Sequence, residues 1–191
     1  KQAIDAGVVA GPRIWPSGAF ISQTGGHGDF RLPNDIPSDA SNGLTYAERI
    51  NAAAIADSPD AVRLKTREQL MLGASQIKLM AGGGVSSIYD PLDVTQYTEA
   101  EIRAAVEAAE NWGTYVTVHA YTPRAIQQAI RAGVKCIDHG QLIDEETVKM
   151  MVEKGVFWSL QPFVDEGDKG VLSAESRAKQ LEMYQGTDTA F

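Results

Sequence analysis

The chain has 191 residues, 43% hydrophobic and 22% charged, which allows one domain with a real core and is ordinary for a globular protein. Lysine and arginine number 17 against 25 acidic residues, a net charge of −8, which argues against a nucleic-acid backbone as partner. The single cysteine, Cys136, excludes a disulfide framework within the chain and reads as a small buried thiol; no apolar run is long enough to span a membrane, and no membrane partner is expected.

Lys1–Ala6 with Gly7 reads as a last helical turn and its cap. KQAIDAGVVAGPRI has no apolar secretory stretch and no initiator Met. A piece of a longer protein is expected, and its compartment stays open. Pro12–Phe20 is a strand candidate weakened by Pro16 and runs into the glycine-containing loop Ile21–Asp29. Segment 28–58 is rich in Pro, Asn, Asp, Ser and Gly and reads as a long active-site loop, with a helical turn or two over Ala47–Ala56.

Ser58-Pro59 opens a helix that runs to Gly73, and Gln76–Ala81, QIKLMA, has a buried-strand pattern. Segment 82–97 is a second long active-site loop. Thr98 and Glu101 form a capping box, and the helix behind it puts Ile102, Ala105, Val106, Ala109 and Trp112 on one face before Gly113. Thr114–His119, TYVTVH, is a β-branched strand. Thr122-Pro123 caps a helix ending at Gly133, followed by a strand over Val134–Asp138. Asp144 caps a helix through Lys154, closed by Gly155. Val156–Gln161 is another strand, and Ser173–Gln185 a last helix.

The recurring grammar is helix, glycine, strand. Strands alternating with helices at this spacing predict an α/β fold with a parallel sheet, and both an open doubly wound sheet and a closed (β/α)8 TIM barrel fit. Counted from the preceding glycine, Lys78 is at plus five, and His119, His139 and Gln161 are each at plus six. A polar group recurring at one height predicts the carboxyl edge of the sheet, where such folds bind ligands.

The chain holds three histidines, His27, His119 and His139. His119 and His139 end successive strands. They read either as histidines satisfied by hydrogen bonds or as ligands of a zinc-like cation, and matching register beside a strand-end lysine favours the second. Lys78, in an otherwise apolar strand, must reach solvent or lose its charge. A neutral amine can add CO2 to give a carbamate able to bridge two cations. Gly82–Gly84 is a weak match to a phosphate loop, since no Lys-Ser/Thr follows, and fits better as flexibility for a tight turn. Ser22, Ser86 and Ser87 lack a nucleophile-elbow context. Trp15, Trp112 and Trp158 read as core or interface residues.

QIKLMAGGGV, TVHAYTP and GVKCIDHG, in that order, together with GPRIWPSGAFISQTGGHGD, resemble the amidohydrolase superfamily. The likeness is greatest to its branch of Xaa-Pro dipeptidases (prolidases), related carboxypeptidases and imidazolonepropionase-like proteins. The resemblance covers nearly the whole chain. It implies strands three to seven of a (β/α)8 barrel, so that 1–191 is a partial catalytic domain with about five of the βα units. It also implies two divalent metal ions, zinc being usual, bridged by Lys78 carboxylated by CO2, with His119 and His139 binding one of them. His27 would polarise the substrate carbonyl, and the Tyr121 hydroxyl would take the substrate's terminal carboxylate.

The family's His-x-His pair and strand-eight aspartate are absent. Asp188, in GTD, is rejected for the latter because Gln180–Gln185 before it reads helical. The implied function is hydrolysis of a dipeptide amide next to its C-terminal residue, proline or a basic residue, by a metal-bridging hydroxide. The alternatives are cyclic-amide hydrolysis, as in imidazolonepropionase-like proteins, or an inactive barrel fragment that needs a complementary segment. A homo-oligomer, or association with the remaining barrel segments, is the expected assembly.

Overall fold

A computed structural model describes residues 1–36, 43–161, 163–165, 167 and 170–191. Its elements run α1 (Gln2–Asp5), β1 (Phe20–Ser22), a 3-10 turn (Pro33–Asp35), α2 (Tyr46–Arg49), β2 (Ala53–Ile55), α3 (Pro59–Met71) and β3 (Ile77–Met80). They continue α4 (Glu99–Trp112), β4 (Val116–Ala120), α5 (Pro123–Ala132), β5 (Cys136–His139), α6 (Glu145–Lys154), β6 (Phe157–Ser159), α7 (Ala174–Tyr184) and α8 (Thr187–Ala190).

Helix ends follow local chemistry. Ser58 and Asp144 accept from backbone N–H groups of the first turn, Thr98 and Glu101 form the reciprocal box, and Gly113, Gly133 and Gly155 close their helices in the left-handed region. Thr122 departs from expectation: its hydroxyl makes no cap hydrogen bond and is buried without a partner.

Among the described residues six strands form one sheet in the order β2-β1-β3-β4-β5-β6, every pairing between them parallel. Two expectations are corrected here. The first strand is Phe20–Ser22, and the largely exposed, proline-broken stretch before it joins no strand ladder among the described residues, although its Pro16 carbonyl accepts from the Ser75 N–H at 2.7 Å. Segment 28–58 is not a loop throughout: it holds α2 and β2, and β2 pairs with β1 at the sheet edge. Ala53–Ile55 has no alternating pattern and is only three residues long, so it carries little sequence signal.

The two sheet faces differ. Ile77, Leu79, Val116, Val118 and Ile137 point to the helices and pack with Val62, Ile102, Val106, Ile126 and Ile130, each contributing ~1.5–3 kcal/mol on burial. Lys78, Thr117, Cys136, Asp138 and Ser159 point the other way and line an open concavity of about 470 Å³. Cys136 is therefore half-buried on that face, not enclosed. Trp15 and Trp112 are exposed, and Trp158 is packed against the core. Asp188 lies in α8, not on a strand. No helix among the described residues is long and apolar enough to cross a membrane.

Candidate active site

The strand carboxyl ends bring together residues far apart in sequence. The His27 ring stacks on His119 at 4.1 Å between centroids, and His139 meets His119 edge to face at 4.7 Å. Tyr121, one residue past β4, packs at 4.8 Å from His119 and 5.4 Å from His139. Burial chiefly disfavours protonation of all three imidazoles, and the positive charge of Lys78 adds to it.

The strand register corrects the equal-height count. Lys78 pairs with Thr117 and Thr117 with Cys136, while His119 lies opposite Asp138, one residue before His139. Regular alternation would send His139 to the helix side with Ile137. His139 instead has φ +78°, a left-handed conformation rare outside glycine, and this turn brings its ring to the face of His119. Gly140 follows at φ +72°, and the Trp158 indole N–H donates to the His139 carbonyl at 2.8 Å, fixing the reversal.

Hydrogen bonds set the imidazole tautomers. His119 Nε2 lies 2.9 Å from the Gly83 carbonyl, which can only accept, so Nε2 carries the proton and Nδ1 the lone pair. His139 Nδ1 lies 2.5 Å from Gln161 Oε1, so here Nε2 holds the lone pair. Burial, with the neighbouring positive groups, holds His119 well below the ordinary imidazole range and lowers His139 as well. Two neutral rings, each oriented through its other nitrogen, fit a divalent zinc-like cation.

Lys78 fits less simply. Burial lowers its ammonium, Asp138 supports it, and the two side chains form an ion pair that also receives the Thr117 hydroxyl at 3.0 Å. As an ammonium Lys78 has no lone pair for a metal; only its carbamate would supply donors. Among the described residues no three His, Cys, Asp or Glu side chains are grouped to hold a metal ion.

His27 is held from both sides of the mouth. Ser22 Oγ donates to its carbonyl at 2.7 Å, Ser87 Oγ lies 2.6 Å from Nδ1, and Asp90 Oδ2 lies 3.8 Å from the same nitrogen. Burial pushes His27 down to about 4, against the pull of Asp90. Ser87 and Asp90 share one ring nitrogen and Ser87 is fully buried, so this is not a serine nucleophile relayed through histidine, which needs opposite nitrogens. Tyr121 is buried, and burial raises its phenol above the ordinary range, so its hydroxyl keeps its proton.

The glycine run after β3 has a steric cause. A Cβ on Gly83 would sit 1.8 Å from the Pro91 carbonyl oxygen, and one on Gly84 2.1 Å from the His27 ring. Space, rather than a positive φ, requires glycine at both.

The expected residues His27, Lys78, Tyr121, His119 and His139 thus share one sheet edge. The sequence reading pointed to none of Asp138, Asp90 and Lys179, whose Nζ donates to the Ser87 and Asp90 carbonyls at 2.8 Å, and raised Ser87 only to set it aside as a nucleophile. Only Asp138 left a signal: it stands five residues after Gly133, as Lys78 does after Gly73.

Residues 1–185 match the amidohydrolase family. The chain is 34% identical to the ochratoxinase of Aspergillus niger over 201 residues, covering 97% of this chain and 42% of that protein. A prolidase solved with N-methylphosphonate-L-proline is 43% identical, with a TM-score of 0.88 over 99% of this chain and 47% of its own. A Xaa-Pro dipeptidase solved with methionine in its active site is 29% identical, with a TM-score of 0.82 over 99% and 46%. The chain spans less than half the length of each of these relatives.

Proposed function

The chain belongs to the amidohydrolase family, and on that premise we propose that it carries part of the active site of a metal-dependent hydrolase that cuts a dipeptide next to its C-terminal residue. Proline or a basic residue would occupy that position. The observation that carries this reading is the convergence of three imidazoles from separate elements on the strand ends, His27 stacked on His119 at 4.1 Å and His139 edge to face with His119 at 4.7 Å.

His119 through Nδ1, His139 through Nε2 and a carboxylated Lys78 would hold two divalent ions, zinc by expectation. Such ions activate water and polarise a carbonyl. This chain's other residues bind and orient. With the Ser87 hydroxyl donating to Nδ1, His27 holds its proton at Nε2 and can donate it in a hydrogen bond to the substrate carbonyl oxygen. Tyr121, protonated through burial, can donate its phenol hydrogen to the substrate's terminal carboxylate. The remaining donors of the family's site, and the strands that would extend the sheet at β2 and β6, would come from further barrel segments.

The test uses the intact protein. Lys78→Ala should lose bound divalent metal and dipeptide hydrolysis together, with partial recovery of both on adding a short carboxylic acid. Full hydrolysis by rigorously metal-free protein would end the proposal.

A second reading is hydrolysis of a bulkier aromatic amide. It is favoured by the likeness to the ochratoxinase and by a line of rings, Tyr121, His139, Phe163 and Tyr184, leading away from His119. Comparing Xaa-Pro dipeptides with ochratoxin as substrates separates the two.

A further inference from the structure

We propose that Lys179, on α7, is a positioning residue that clamps the β3–α4 loop over the site and thereby fixes the His27 ring. Lys179 is only 8% exposed, an expensive place for an ammonium. An apolar side chain of similar length would be cheaper to bury; the ammonium adds direction. Its Nζ donates at 2.8 Å to two carbonyls, those of Ser87 and Asp90, some ninety positions earlier in the chain.

Those are the two residues whose side chains face His27. Ser87 Oγ reaches Nδ1 at 2.6 Å. Asp90 Oδ2 accepts from the Gly84 N–H at 2.7 Å and so pins the turn whose Gly84 packs against the imidazole. On its far side the ring is held by His119 at 4.1 Å. His27 itself sits on a different loop, after β1, and a histidine on a loop keeps one orientation only if its neighbours over-determine it. Lys179, the carbonyls of Ser87 and Asp90, their side chains and His27 form one continuous set of contacts from α7 to the imidazole face. Met183, one turn further along α7, packs with Leu92 and Tyr121 and seats the helix over the same loop.

The inference rests on His27 facing substrate, so its test separates the two claims. In the intact, metal-loaded protein, Lys179→Met should raise hydrogen exchange of amides 84–91 and lower kcat for an Xaa-Pro dipeptide about tenfold, a loss typical of a slightly misplaced contact, with little change in KM. Lys179→Arg should restore part of both. Ser87→Ala should lower kcat similarly while leaving exchange near wild type, because Lys179 holds Ser87 by its carbonyl. In a His27→Ala background Lys179→Met should cost nothing further.

Unchanged exchange in Lys179→Met, or an equal kcat loss in both backgrounds, overturns the clamp. If Lys179→Met does not fold, wild-type kcat in Ser87→Ala overturns it instead. Full activity of His27→Ala would instead sink the substrate-facing role of His27, with the exchange result still deciding the clamp.

Discussion

The ring of His139 reaches that of His119 because the backbone reverses hand at His139, at φ +78°. Their strands are out of step by one residue, and only this local departure from strand geometry compensates. Such conformations cost of order 1–3 kcal/mol and persist where surroundings over-determine them, here the Trp158 indole, Gly140 and Gln161. Asparagine tolerates the left-handed region and β-branched residues do not. His139→Asn should therefore retain folding stability about 2 kcal/mol better than His139→Val, while both lose metal affinity alike. Urea unfolding of the metal-free protein beside metal titration measures the two effects.

Gly83 and Gly84, two of the three glycines that open the β3–α4 loop, should fail differently. At Gly83 an added Cβ meets backbone, the Pro91 carbonyl, so Gly83→Ala should disturb the whole loop and cost stability, by about 1–3 kcal/mol. At Gly84 it meets the His27 ring, a side chain rather than backbone, so Gly84→Ala should cost less stability than Gly83→Ala yet displace the imidazole and lower kcat about as much as His27→Ala does. Thermal melts and dipeptide kinetics on the two variants distinguish them.

Lys78 and Asp138 are paired while Lys78 is an amine. Removing only Asp138 leaves an ammonium partly desolvated without its counter-charge, a change that costs about 3–5 kcal/mol for a fully buried pair and less here, where the two side chains are 18% and 19% exposed. Asp138→Ala should destabilise the metal-free protein by about 2–3 kcal/mol, whereas Lys78→Met with Asp138→Leu should lie within about 1–2 kcal/mol of wild type. A double-mutant cycle by chemical unfolding gives the coupling; additive losses would refute it.

All three histidines are held below their unfolded value of 6.5, His27 to about 4. Between those values the unfolded chain binds more protons than the folded one. Stability is therefore fully present above about pH 6.5 and falls as the pH drops toward 4, with a limiting slope of ~1.4 kcal/mol per pH unit per histidine. Unfolding midpoints of the metal-free protein at pH 7, 6 and 5 should decline along this window, and His27→Leu should flatten the decline by the share of one group.

The linear chain carried a good part of this. Helix starts and stops are local chemistry, so Ser58, Thr98, Asp144 and the closing glycines announced α3 to α6, and the apolar runs between them announced β3 to β5. Lys78, His119 and His139 stood out because polar groups at strand ends are conspicuous against an apolar background. The tertiary structure alone decided the rest. Ala53–Ile55 became a strand because β1 offered it an edge. Ser87, Asp90 and Lys179 became neighbours of His27 because α7 folds back against the β3–α4 loop. The pairing of Lys78 with Asp138 follows from β3, β4 and β5 lying side by side. Capping and periodicity act over a few residues and can be read along the chain; a contact across some ninety residues depends on how strands and helices pack, which no short stretch encodes.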